Sequence, residues 1–443
     1  MFVPYAIVPG SARTSAKDLR MPAPANRPRR AAAIFIFVTV MIDMLSFGLM
    51  GPVLPQLVKS FVGGDAAYAG WIIGLFGTAW ACVQFVSTPV FGIVSDRVGR
   101  RPLILLSNLG TSLDYVIMAL APGLGWLFAG RLISGATTAS MTTAYAYIAD
   151  STRPHERAKA YGLIGSAFGL GFIIGPAIGG WLGTYGPRVP FWAAAAFSMA
   201  NFLYGLFVLP ESLDVEHRTP NIEWKKANPI GAFAFLRKRP QILGLASVNF
   251  LGYLAHESLP IVWVIYCIAR FGWNSWQVGL TLTLVGATSV LSQMFLVGPV
   301  VKRFGERRTM VLGLAFAALG YVCFSFANGW IVVSGIAVSA LGFYMPASQA
   351  LLTHRVAANE QGALQGAVGA VRSLTMILGP LLFAWVFFHT IGGPQDWLRG
   401  APWMLAGLLV IAAIPLAIAV TNRLDDITGP EAPIAIAALN PET

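Results

Sequence analysis

Charge is scarce in this chain, and negative charge is scarcer: 19 Asp and Glu stand against 30 Lys and Arg in 443 residues, and charged residues make up only 11%. A soluble domain carries about a quarter charged residues, so this balance, beside 56% hydrophobic residues, excludes an ordinary soluble fold. Cysteine is nearly absent. Cys82, Cys267 and Cys323 have no paired spacing, which speaks against a disulfide framework and against a cysteine metal site. No G-x4-G-K-[ST] phosphate loop occurs and no polar stretch is large enough to hold a nucleotide, so an ion gradient or the substrate's own gradient must supply any driving force. No loop gathers a nucleophile with a base or a cluster of metal ligands, so neither an enzyme nor a bound cofactor is indicated.

Long apolar runs are what the chain has instead. Windows of spanning length fall near 31–54, 69–92, 102–121, 126–149, 161–184, 191–210, 243–268, 276–299, 309–328, 330–353, 364–388 and 401–421. The expected fold is therefore an all-α integral membrane protein of twelve transmembrane helices in two six-helix halves. The halves, 31–210 and 243–421, flank a polar, Pro-containing linker at 211–242, with tails at 1–30 and 422–443. Of the 30 basic residues, 24 fall in the tails and in the loops on one side of this layout, so the positive-inside rule places both termini and the linker in the cytoplasm. The net charge of +11 is thereby accounted for by topology, and nucleic acid is not expected as a partner. The first 30 residues contain no apolar core of signal-peptide length, so no cleaved signal is expected; that tail reads as disordered, and Met21 is a second possible start.

Between the second and third windows lies Gly92-Ile-Val-Ser-Asp96-Arg97-Val-Gly99-Arg100-Arg101-Pro102, a short loop dense in turn formers and charge. A weak echo follows 206 residues later as Gly298-Pro-Val-Val-Lys302-Arg303-Phe-Gly305-Glu306-Arg307-Arg308. Internal repeats of this kind build many secondary transporters, with the substrate cavity between the halves. The fourth window contains Leu127 to Gly135 (LFAGRLISG), with an arginine inside it, and the fifth has Gly162, Gly171, Gly175, Pro176, Gly179 and Gly180 spaced as G-x8-G-x3-G-P-x2-G-G.

With these three motifs the chain resembles the twelve-helix drug/proton antiporters of the major facilitator superfamily. It looks most like the tetracycline efflux pumps, through Asp43 to Pro55, Ser112 to Tyr115, Arg270 to Ser275, Gln361 to Gly366 and Gly379 to Ala384. The eighth and ninth windows, LTLVGATSVLSQMF and LGLAFAALGYVCFSF, lack the histidine and aspartate that those pumps often carry there. The resemblance implies a proton-coupled exporter of small amphipathic drugs in the inner membrane, exchanging drug for protons, monomeric, with any tetracycline travelling as a magnesium chelate. An importer or facilitator of a metabolite, or a sensor that does not transport, stands as the alternative.

Ionisable residues inside the apolar windows are functional candidates by default, because a lone charge near the bilayer centre costs several kcal/mol. Asp43 lies 12 residues into the first window, about 18 Å at 1.5 Å per residue and hence near mid-membrane. It could exchange protons or meet substrate; alternatively it is a hydrogen-bond acceptor in helix packing. Asp114 sits as deep in the third window and could be a second such carboxylate or a structural acceptor held by Ser112 and Tyr115. Arg131 keeps its proton at any working pH and so needs an acceptor, which Asp43 or Asp114 could supply as a switchable or a static pair. In the seventh window His256 and Glu257 point about 100° apart. Glu257 is the candidate for a cationic ligand, and His256 reads as a packing residue. Arg372 is expected to snorkel towards the cytoplasm and receives no role.

In the loop motif, Gly92 and Gly99 permit close approach and a tight turn. The resemblance implies a gate latch, in which Asp96 accepts from the amide end of a helix in the other half and Arg97, Arg100 and Arg101 hold the cytoplasmic side closed. The alternative for those arginines is a topological anchor. In the fifth window Gly171, Gly175, Gly179 and Gly180 would allow backbone-to-backbone packing and Pro176 would loosen the helix, sealing the cavity against leak. Exchange of one proton for a monocation would move no net charge and leave about 1.4 kcal/mol per pH unit. A neutral cargo would add about 2.3 kcal/mol per 100 mV.

Overall fold

The computed structural model describes residues 29–425 apart from 139, 153–155, 215, 217, 219–234, 327–334, 337, 339–341, 357–359 and 394. Both tails beyond these bounds and most of the linker, including the tail expected to be disordered, lie outside the described residues. The regular structure within them is helical. In chain order the helices are α1 (Arg29–Met50), α2 (Leu54–Phe61), α3 (Ala66–Val98), α4 (Arg100–Leu120), α5 (Leu124–Thr137), α6 (Ser140–Ser151), α7 (Arg157–Gly183) and α8 (Val189–Phe207). The second half continues with α9 (Pro240–His256), α10 (Ser258–Phe271), α11 (Ser275–Leu291), α12 (Val297–Phe326), α13 (Tyr344–Thr353), α14 (Gln361–Thr390), α15 (Asp396–Arg399) and α16 (Ala401–Asp425).

Among the described residues nine helical stretches are long and apolar enough to cross a bilayer. The difference from twelve windows has local causes. The fourth window is split into α5 and α6 at 14 and 12 residues. The eighth and ninth run together as one stretch of 52 residues through a π-helical turn at Ser292–Leu296. Part of the tenth lies outside the described residues. The seventh window, read as one continuous helix, is broken between α9 and α10. Pro260 has no N–H to give the carbonyl of His256, four residues earlier, and Glu257 occupies the break, where its own N–H reaches the Tyr253 and Leu254 carbonyls at 3.1 and 3.2 Å. Pro52 and Pro55 divide α1 from α2 in the same way.

The two loops of the repeat share a backbone device. Gly99 has φ 116° and ψ 163°, and Gly305, 206 residues on, has φ 76° and ψ 164°, so each helix turns sharply at a glycine in a region that side chains rarely enter.

Helices in lipid gain little from burying apolar surface against each other, and associate through close packing. The glycines of α7 show how. A Cβ on Gly171, Gly175 or Gly179 would come within 2.7, 2.7 and 2.3 Å of the backbone oxygens of Met41, Leu45 and Leu49 on α1. On its other flank α7 meets the second half: a Cβ on Gly180 would lie 2.5 Å from the Ser275 carbonyl oxygen, and one on Gly279 would lie 2.4 Å from the Pro176 oxygen. The seam continues as Thr283 donates to the Ile173 carbonyl at 2.9 Å and Ser275 to Gln56 Oε1 at 2.9 Å. A second seam joins α3 to α14, where a Cβ on Gly70 would strike the Phe387 ring at 2.5 Å, one on Gly74 the Ala384 side chain at 2.2 Å, and Thr78 donates to the Ile377 carbonyl at 3.1 Å.

Both seams lie towards the end of the bundle remote from the repeat loops. Towards the loop end Gly92, Gly162, Gly165, Gly298, Gly362, Gly366 and Gly369 each face open space, where an added Cβ would meet nothing within 4 Å. The halves are closed against each other at one end and splayed at the other.

Candidate functional site

In the first half the described structure brings three of the expected membrane carboxylate and arginine residues together. Asp114, on α4, is fully buried and accepts a salt bridge from Arg131 on α5. Arg131 also points Nη2 at the sulfur of Met118, 3.6 Å away. Gly130 makes the approach possible, since a Cβ there would sit 2.5 Å from Asp114 Oδ1. Asp43 is buried on α1, and the buried ring of Tyr115 lies within electrostatic reach of Asp43, Asp114 and Arg131 alike. Ser112, expected beside Asp114, instead donates to the Ala195 carbonyl on α8 at 3.2 Å. Between the two candidate acceptors for Arg131, the geometry selects Asp114.

The second half holds a cluster that window counting missed. Glu257 is buried at the break between α9 and α10, with its Cβ against α14 where Gly379 leaves room; a Cβ there would meet it at 2.4 Å. Arg372 does not snorkel. Its guanidinium lies over the Tyr253 ring, 5.4 Å from the centroid, within electrostatic reach of His256, Glu257 and Tyr344. The signal available in the sequence was the small and polar face of Gly362, Gln365, Gly366, Gly369 and Arg372. Among the described residues no group of three His, Cys, Asp or Glu is placed to hold a metal ion.

The loop motif binds within its own half. Arg100 donates Nη1 to Ser95 Oγ at 2.6 Å and Asp96 Oδ1 at 2.5 Å, and Nε to Asp150 Oδ2 at the end of α6 at 2.9 Å. Arg101 donates to the Gly205 and Leu206 carbonyls at the end of α8 at 3.5 and 2.5 Å, while Arg97 is exposed. The amide end of a helix is indeed capped by a carboxylate, but the helix is α4 and the residue is Glu211, which accepts from the N–H groups of Arg100 and Arg101 at 2.8 and 3.3 Å. In this conformation the partners of Asp96, Arg100 and Arg101 all lie in the first half or at the start of the linker, so the motif fastens that half together while the loop end stands open. In the second repeat, Lys302 replaces the aspartate and Glu306 faces His354 Nδ1 at 3.3 Å.

Gly99 carries a testable consequence. A side chain there would be strained by φ 116° and would lie 2.3 Å from Glu211 Oε2. Gly99→Ala is expected to lower stability by about 1–3 kcal/mol, read as a lower melting temperature in detergent. Gly305→Ala meets the same backbone penalty but open space, and should lose less.

A bundle of apolar helices in two halves, with a buried charge pair inside and one end open, defines a multi-pass membrane transporter. The chain belongs to the Major Facilitator Superfamily, whose family model matches residues 36–274 and 245–437. Within it the chain is 38% identical to the tetracycline resistance protein class C of Escherichia coli over 388 residues, 87% of this chain and 96% of that protein. It is likewise 38% identical to the class G protein of Vibrio anguillarum, over 87% of this chain and 97% of that one. Among solved structures it is similar to a bacterial homolog of the human lysosomal transporter Spinster, in an inward-facing and unoccupied conformation. There the TM-score is 0.72 at 16% identity, covering 91% of this chain and 99% of the other.

Proposed function

We propose that this protein is a proton-coupled antiporter that exports small amphipathic drugs, tetracycline-like compounds foremost, by alternating access between its two halves. The observation that carries the reading is the buried cluster of Asp43, Asp114 and Arg131, in a chain 38% identical to tetracycline resistance proteins. A proton taken up by a carboxylate of this cluster would weaken its hold on Arg131, and the packing of α4, α5 and α1 would respond. Release of that proton to the cytoplasm restores the pair, so each conformation is matched to one protonation state. The splayed end is the cytoplasmic one, and both termini lie on that side of the inner membrane. The glycine seams on α7 and α3 open when the cytoplasmic end closes. Such a cycle does transport and no covalent chemistry, needs no resident cofactor, and runs in a monomer; tetracycline would travel as its magnesium chelate.

The test uses purified protein in liposomes with an acidic interior, following uptake of labelled tetracycline with magnesium and of a cationic dye. Uptake is expected to require the pH gradient and to fall in Asp43→Asn to the level of protein-free vesicles. Uptake of neither compound by folded protein would overturn the reading and direct attention to metabolites.

A further inference from the structure

Arg372 is the twelfth residue of the 30-residue helix α14, deep within a membrane span, where an unpaired charge costs several kcal/mol unless water or a counter-ion meets it. Among the described residues its guanidinium makes no hydrogen bond or ion pair; it lies over the ring of Tyr253, 5.4 Å from the centroid. Glu257 is within electrostatic reach yet closes no salt bridge with it. The guanidinium thus lies over an aromatic ring with its N–H groups unspent, and such a free fork can bind an oxyanion by two parallel hydrogen bonds.

Lipid is not what Arg372 faces. The exposed apolar residues of α14, Leu378, Leu381, Trp385 and Phe388, form one stripe. At 100° per residue that stripe points roughly opposite to Arg372. Arg372 lies instead at the end of the exposed face of Gly362, Gln365, Gly366 and Gly369, whose glycines look into the open end of the bundle. Its neighbours on the other helices, Tyr253 on α9 and Tyr344 on α13, are buried in the second half, and the Tyr344 hydroxyl is buried without a hydrogen-bond partner.

We infer that Arg372 and Tyr253 form a subsite for an acidic oxygen group of the cargo, with Glu257 beside it available for a donor on the same molecule. Arg372 supplies the two N–H groups to the anionic oxygens, and Tyr253 holds the guanidinium plane. The subsite assigns a charge class to the cargo, an acid or zwitterion rather than a simple lipophilic cation. It rests on the reading of the chain as a drug exporter, and it concerns recognition in the second half rather than coupling in the first.

The experiment compares binding of radiolabelled nalidixic acid and its methyl ester to the full-length protein in phosphatidylcholine nanodiscs. Wild type is expected to bind the acid at least tenfold more tightly than the ester. Arg372→Gln should bring the two within twofold, and Arg372→Lys, which keeps the charge but loses the fork, should leave an intermediate preference if the Gln variant does not fold. Tyr253→Leu should weaken the acid more than the ester. Wild-type protein that shows the acid preference but no gradient-driven uptake refutes the exporter reading alone. Absence of acid preference in wild type, or its survival in Arg372→Gln, overturns the subsite. So does competition by phosphatidylglycerol in the discs that Arg372→Gln removes, since Arg372 would then serve the bilayer.

Discussion

Asp114→Asn is expected to destabilise the protein and abolish gradient-driven uptake, a larger combined effect than any other single substitution in the first half. The change leaves the Arg131 guanidinium buried without its carboxylate, and breaking a buried pair from one side costs about 3–5 kcal/mol. Removing both charges behaves differently. Asp114→Asn with Arg131→Met replaces a buried ion pair by neutral groups of similar volume, which is often near neutral in stability, so the double variant should regain much of the lost melting temperature in detergent. Transport should not return with it, because the proton-responsive bond is gone. The two readouts separate a packing role from a coupling role: uptake surviving in the stable double variant would show the pair to be structural. A single variant as stable as wild type would show that Arg131 had never lacked water.

Gly180→Leu is expected to prevent closure of the seam between α7 and α11. A Cβ alone would lie 2.5 Å from the Ser275 carbonyl oxygen and 3.0 Å from Gly279 Cα, with backbone on both sides and no flexible side chain to give way. Overpacking of this kind costs about 1–3 kcal/mol, and at the upper end shifts a two-state population by about 100-fold. The conformation described above should become the minor one. Spin labels replacing Ser60 and Trp397, exposed positions at the closed end on opposite halves, should report a longer distance in Gly180→Leu, and uptake should fall with it. An unchanged distance distribution would mean that the α3 and α14 contacts hold that end closed by themselves.

Much of this was legible along the chain, and the misses share a cause. Buried carboxylates and an arginine stand out in apolar windows because so few residues there can pair, which is why Asp43, Asp114 and Arg131 were identifiable. The glycine pattern of α7 was equally legible, since small residues at that spacing allow a neighbouring helix to approach backbone to backbone. Glu211 was not, because its partners at Arg100 and Arg101 stand 111 and 110 residues away and only the return of the chain after α8 unites them. Ser112 sits two residues from Asp114 and bonds elsewhere, as residues two apart in a helix point 200° apart. Arg372 was misplaced because depth in a window says nothing of direction; the stripe of Leu378, Leu381, Trp385 and Phe388, read as lipid-facing, would have shown it. The break at Glu257 follows from Pro260, a signal that hydropathy averaging hides.

Gly99 and Gly305 give the two repeats one chain path with different electrostatics. Both halves turn at a glycine of the same hand, yet Arg100 in the first half is gripped by two aspartates where the second half places Glu306 against a histidine. The polarity of the joint has been inverted while its shape was kept. Residues 298–308 grafted in place of 92–102 would follow the old course and present an acid to Arg100's former partners, Asp150 and Glu211. The duplicated halves are therefore matched in geometry and not interchangeable in charge, and this asymmetry gives a pseudo-symmetric machine a distinguishable left and right.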